Sequence, residues 1–243
     1  MLYNMQKGGD SLASTHDGHR SRMMKKIREN GFEGMEEHEI LEVLLFYAIP
    51  RKNTNDLAHL LIKKFGGLHA VCEAPMVSLC EVDGIGEAAA TFIRMVPEIS
   101  RAYHLSKVKN IKVISSCADA GEFLSPYFIG LEKEHFYMVS MDSAGKVLGV
   151  DLISEGSLNY AAVDIRKLVE IVLQYKATKI IVAHNHPRSI ALPSKEDLQC
   201  TKRIKDVLGS MGVKLEDHLI FSYGLGSESP LSEYVSLAED GCI

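Results

Sequence analysis

The segment Ala183–Asp197, AHNHPRSIALPSKED, holds residue types at spacings that can do chemistry. Side chains two apart on a strand point to the same face. His184 and His186 can therefore aim two imidazoles at one point, with Asn185 on the opposite face. Pro187 cannot continue a strand ladder, so His186 is expected at a strand end beside a loop. Ser194 then opens a helix, and Asp197 falls in its first turn, where the helix dipole favours an ionised carboxylate. Two neutral imidazoles and one carboxylate make a ligand set for a catalytic zinc ion. Three protein ligands leave the fourth tetrahedral position open to water, and Zn2+ lowers the pKa of that water to about 7. Iron, manganese and nickel also accept such a set.

Each part of the pattern has a plainer reading. Ser-x-x-Asp before an apolar run is a helix capping box, which accounts for Ser194 and Asp197 without chemistry. A single histidine at a strand end is commonly a satisfied structural residue. The combination weighs more than its parts: with average residue usage, H-x-H-P-x(6)-S-x-x-D arises in fewer than about one chain in a thousand. Ser194 could also donate its hydroxyl to the oxyanion of a tetrahedral intermediate.

The elements that must position these residues are readable from periodicity. Lys179–His186 is a short buried strand and Ser194–Met211 an amphipathic helix ended by Gly212. Lys112–Ser115, His135–Met141, Val147–Ile153 and His218–Ser222 read as further strands. A hairpin loop containing Gly145 joins the second and third of these four. Helices are expected over 117–128 and 161–175. The order α-β-β-α-β-α-β describes an α/β domain, a mixed sheet with helices on its faces, over residues 111–243. Residues 16–105 read instead as a small all-α domain. It includes an amphipathic helix over 21–30, another over 37–47 and a third over 55–65, the last with Asn55 as N-cap and Gly66-Gly67 as its stop. Residues 1–15 read as a mobile arm, and 106–110 as a linker.

Composition bounds the function. The chain has 243 residues, 46% hydrophobic and 24% charged, with a formal charge of -5. That is ordinary for a globular protein and excludes a polybasic coat protein. No apolar run approaches the roughly 18 residues of a membrane span, and the N-terminus has no signal-peptide core. Five cysteines without C-x-x-C spacing suit a reducing cytoplasm, the expected location, and argue against a disulfide scaffold or thiolate zinc knuckle.

His184-Asn185-His186-Pro187 followed by Ser194-x-x-Asp197 resembles the JAMM motif of MPN-type metalloproteases. The wider pattern is similar to the bacterial RadC family: IIVAHNHP, PSKEDLQCTKRIKDVL, GVKLEDHLIFS and YVSLAEDG resemble its C-terminal domain, and HRSRMMKKIREN through VDGIGEAAA its helical domain. The resemblance covers nearly everything from His16 onward. It implies a fold akin to cytidine deaminases (the JAB-MPN fold), Zn2+ held by His184, His186 and Asp197, and hydrolysis of a peptide or isopeptide bond in a protein or peptide substrate. It also places a glutamate base at the start of the first central strand, where Glu134 stands, with Glu155 as the competitor. Arg188-Ser189 stands where the family commonly has Ser-Gly, a departure at the rim of the site. A nucleoside deaminase would need H-x-E and C-x-x-C, neither of which occurs here.

VDGIGEAAA also resembles the hairpin of a helix-hairpin-helix module, in which Gly84 and Gly86 would let backbone N–H groups approach a phosphate. Arg20, Arg22, Lys25 and Lys26 add a basic stripe, and DNA is the partner this implies. The balance of charge opposes it: residues 1–105 hold 12 Lys and Arg against 14 Asp and Glu, and Glu87 follows the hairpin. The alternative function is therefore a DNA-associated factor in which the metal is structural.

Overall fold

The computed structural model describes residues 11–50, 52–156, 163–187, 189–222 and 233–243. The chain divides into two compact units, Met1–Val96 and Pro97–Ile243. No described helix is long and apolar enough to cross a membrane.

The first unit is all helical. It contains α1 (Ser11–Asn30), α2 (Glu37–Ala48), α3 (Asn55–Phe65), α4 (Leu68–Glu73), α5 (Met76–Cys80) and the start of α6 (Glu87–Val108). Leu41 and Leu45 of α2 pack with Leu61 of α3, Val71 of α4, Leu79 of α5 and Ile93 of α6. The expected stops hold: Gly31 follows α1, and Gly66 caps α3 at φ +100° with its N–H donating to the Ile62 carbonyl. Asn55 is the first residue of α3 rather than its cap, which is Thr54. Its side-chain amide is occupied elsewhere, donating to Glu42 at 2.9 Å. Glu42, the interruption in the apolar run of α2, is itself buried and also pairs with His19 at 3.0 Å. α1 begins inside the stretch expected as a mobile arm, whose first ten residues lie outside the described ones. α6 continues to Val108, so the expected linker at 106–110 begins as helix.

The second unit is α/β. After α6 come α7 (Cys117–Phe128), β1 (His135–Met141), β2 (Val147–Glu155), α8 (Ile165–Tyr175), β3 (Lys179–His186), α9 (Lys195–Ser210), β4 (Lys214–Ser222) and β5 (Glu233–Ser236). The sheet runs β2-β1-β3-β4-β5. β3 and β4 are parallel, and the other neighbours are antiparallel. Alternation along the strands builds two cores. Phe136, Met138, Ile180 and Val182 face Leu168 and Val172 of α8 and Ile204 and Leu208 of α9. Val139, Met141, Ile181, Ala183, Leu219 and Phe221 face Phe123, Leu124 and Phe128 of α7.

Two local readings change. Lys112–Ser115 makes only a single bridge, Val113 to Lys146. The backbone N–H and hydroxyl of Ser115 both donate to Asp119, so the chain turns into the N-terminal cap of α7 instead of extending a ladder. β4 begins at Lys214, four residues before the expected strand, and β5 adds an edge that periodicity did not mark.

The β1–β2 hairpin shows why Gly145 is required. It sits at φ +81°, its N–H donates to the Asp142 carbonyl, and its own carbonyl accepts from Ile114. A Cβ there would run into the Ile114 carbonyl oxygen. Gly145→Ala is expected to destabilise the chain by about 1–3 kcal/mol, from the left-handed backbone and the clash together. Denaturant unfolding of the two proteins measures it, and equal midpoints would show that the hairpin has room to relax.

Candidate metal centre

The end of β3 and the start of α9 meet as the spacing requires. His184 and Asp197 are buried and His186 is half-buried. His184 Nε2 lies 3.0 Å from His186 Nε2 and 3.1 Å from Asp197 Oδ1. His186 Nε2 lies 3.6 Å from Asp197 Oδ2. One ligand atom from each residue falls within 4.8 Å of the others. Ligands about 2.0–2.1 Å from a tetrahedral zinc would stand about 3.3 Å apart. The observed separations bracket that value, so the donor set fits a zinc-sized ion by type and by spacing.

Asp197 also belongs to a capping box. The Ser194 N–H and hydroxyl donate to Asp197 Oδ2 at 2.8 and 2.6 Å, and the Asp197 N–H donates back to Ser194 Oγ at 3.1 Å. Asp197 thus belongs to both the cap and the candidate ligand set. The box fixes Oδ2 and turns Oδ1 toward His184. The hydroxyl proposed for an oxyanion is directed at Asp197, and could serve an oxyanion only by leaving it.

Burial on its own would raise the Asp197 carboxyl. Its contacts with His184, His186 and Ser194 outweigh it and hold Asp197 well below the usual carboxylate range. For His186, the hydrogen bond to Asp197 raises the proton affinity against the effect of burial. The Ile190 carbonyl, 3.2 Å from His186 Nδ1, and the charges of Asp197 and Glu134 act the same way. Burial, reinforced by His184, pushes His218 well below the ordinary imidazole value.

Glu134 immediately precedes β1, and its charge reaches His186. Asn185 faces away from the candidate metal ligands, as the strand period requires. Its Oδ1 accepts from the His135 N–H at 2.7 Å, and its Nδ2 donates to the Lys133 carbonyl at 3.1 Å. Asn185 thereby clamps the backbone on both sides of Glu134. The competitor Glu155 is exposed and bound to Lys133 at 2.9 Å, whose hydrogen bond and charge lower its pKa.

A RadC-like JAB domain model matches residues 114–242, more than half of the chain. The chain is 34% identical over 235 residues to a UPF0758 protein of Fusobacterium nucleatum, covering 94% of this chain and 98% of the relative. It is 30% identical to UPF0758 proteins of Photobacterium profundum, over 91% of this chain and 95% of the relative, and of Ruegeria pomeroyi, over 83% and 90%. The chain belongs to the RadC family.

The remaining residues singled out from the sequence are placed less uniformly. Of the RadC-family departures at the rim, Arg188 lies outside the described residues. Gly84, at φ +92°, and Gly86 form the turn into α6, whereas the basic residues lie on α1. Arg20 lies over the Phe46 ring and donates to the Ile49 and Lys52 carbonyls. Lys26 contacts the Gly34 carbonyl and Glu39, and Lys25 pairs with Glu29. Arg20 and Lys26 thus each contact groups elsewhere in the helical unit. The residues that sequence reasoning missed are His218, which contacts His184 from the neighbouring strand, and Thr201, which contacts the Asp197 carbonyl within α9. A histidine inside the apolar strand HLIF was their only local signal.

A cation taking the His186 lone pair must displace a proton that is held more tightly than usual. With zinc as the probe, affinity is expected to fall as the pH drops from about 8 to about 6, with proton release on binding. Calorimetry in buffers of different ionisation enthalpy measures both, and an affinity flat across that range would count against His186 as a ligand. In chelator the stability signs differ. The His186–Asp197 pair contributes fully below the unfolded imidazole value of about 6.5 and is lost as pH rises through the raised folded value. The depressed Asp197 contributes above about 3.9 and is lost as pH falls through its lowered value.

Proposed function

We propose that this RadC-family chain is a zinc-dependent hydrolase that cleaves a peptide or isopeptide bond in a protein or peptide substrate. The observation that carries the reading is the convergence of His184, His186 and Asp197 at one sheet end, with Glu134 within electrostatic reach of His186. His184, His186 and Asp197 would hold the ion. Zinc in such a site supplies Lewis acidity and makes an activated water accessible near neutral pH.

The chain's own residues do the rest. Glu134 accepts the proton of the attacking water and returns it to the leaving amine. Asn185 pins the backbone on both sides of Glu134. Ser194 keeps Asp197 ionised and aimed. Glu155 is held by Lys133 and is the weaker candidate for the base.

Turnover of peptide and isopeptide libraries by the zinc-loaded full chain tests this. Glu134→Gln is expected to lower it by about 10²–10⁴-fold with one zinc per chain retained, whereas His186→Ala is expected to lose both zinc and turnover. Undiminished turnover in Glu134→Gln would remove Glu134 as the base. Absence of zinc from the wild-type chain after reconstitution would overturn the metal reading.

A further inference from the structure

His218 is fully buried on β4, with one ring nitrogen against a proposed metal ligand and the other against a hydroxyl. Its Nε2 lies 2.8 Å from His184 Nδ1, and its Nδ1 lies 2.6 Å from Thr201 Oγ1. Thr201, on the second turn of α9, donates its hydroxyl proton to the Asp197 carbonyl at 2.7 Å. The contacts close into a ring: His184 to His218, to Thr201, to the backbone of Asp197, and from Asp197 Oδ1 back to His184 Nε2 at 3.1 Å.

The proton positions around this ring are constrained. A hydroxyl has one proton to give. Thr201 gives it to the Asp197 carbonyl, so toward His218 its oxygen must accept, and His218 Nδ1 carries the hydrogen. Nε2 of a neutral His218 is then bare and accepts from His184 Nδ1–H. That leaves the lone pair of His184 on Nε2, the atom that faces His186 and Asp197. Reversed, the chain would put a hydrogen on His184 Nε2, where a metal must bind. Neutral imidazole has two tautomers, and the partner of one nitrogen decides which lone pair the other offers.

We infer that His218 and Thr201 are positioning residues that lock His184 in the Nδ1–H tautomer and so present Nε2 as a metal ligand. The inference rests on the metal reading of the site. It adds a requirement that the three-ligand motif lacks: a histidine from a different strand and a threonine one helical turn past Asp197. Phe136 completes the enclosure, parallel to the His184 ring at 6.0 Å and edge-on to His218 at 5.6 Å.

The test uses the full chain and zinc alone as the probe. Removing an outer partner of a metal-bound histidine typically costs 10–100-fold in metal affinity. His218→Ala is expected to weaken zinc by that factor in competition with a chromophoric chelator, at unchanged stoichiometry. His218→Gln, whose side-chain oxygen can still accept from His184 Nδ1–H, is expected to recover most of the loss. Thr201→Val, nearly isosteric, is expected to weaken zinc by several-fold. On the wild-type chain, long-range ¹H–¹⁵N correlation should show His184 with its hydrogen on Nδ1 and zinc on Nε2, a readout that does not depend on any variant folding. Wild-type zinc affinity in His218→Ala, or a hydrogen on His184 Nε2 in the zinc-bound chain, would overturn the inference while leaving the metal reading in place. A wild-type chain that binds no zinc would overturn both.

Discussion

A carboxylate removed from water must be compensated on every side, and much of the site's structure answers to that need at Asp197. Desolvating such a charge costs several kcal/mol even after relaxation. Here the compensation comes from the Ser194 backbone and hydroxyl, from the His186 imidazole, and from the positive end of α9. Each donor belongs to a different local feature: a loop end, a strand end and a helix start. The charge therefore fixes how β3 and α9 approach one another. Substituting only one partner would leave the others arranged around an incompletely paired ion, which costs more than the value of any single hydrogen bond.

The helical unit solves a similar problem without any chemistry in view. Glu42 is buried on α2, where it pairs with His19 of α1 and accepts from Asn55 of α3, while Thr54 donates to its backbone carbonyl. One buried acid thus ties three helices together. Buried acids in the two units have different company. Glu42 is served by side chains and a backbone contact that pin packing. Asp197 is served by groups that also have lone pairs to offer.

The sequence disclosed the site more completely than it disclosed the support beneath it. His184, His186, Ser194 and Asp197 lie within one short segment, and strand and helix periods suffice to bring them together. The opposite facing of Asn185 was also legible, but its purpose was not, because its partners lie 50 and 52 residues away. His218 is a further case: in its own strand it looks like a satisfied core histidine, and only the register of β3 against β4 places it beside His184. The basic residues of α1 show the same limit. A run of cations reads as a surface for anions, yet Arg20 spends its guanidinium on carbonyls and an aromatic face. Composition cannot distinguish a free cation from one committed to packing.

The parallel pairing of β3 with β4 has a consequence for how the protein is made. Parallel neighbours require a crossover, here supplied by α9, and such non-local pairing is slow because the loop must close before contacts reward it. A peptide cut from 183–197 would carry all three ligand side chains but neither the imidazole that orients the first nor the layer that buries the last. The geometry of the candidate site therefore arrives with the tertiary structure and not with the motif. On a growing chain the three candidate ligands are all present once Asp197 has been made, but the imidazole of His218 and the rest of β4, which ends at Ser222, come only afterwards.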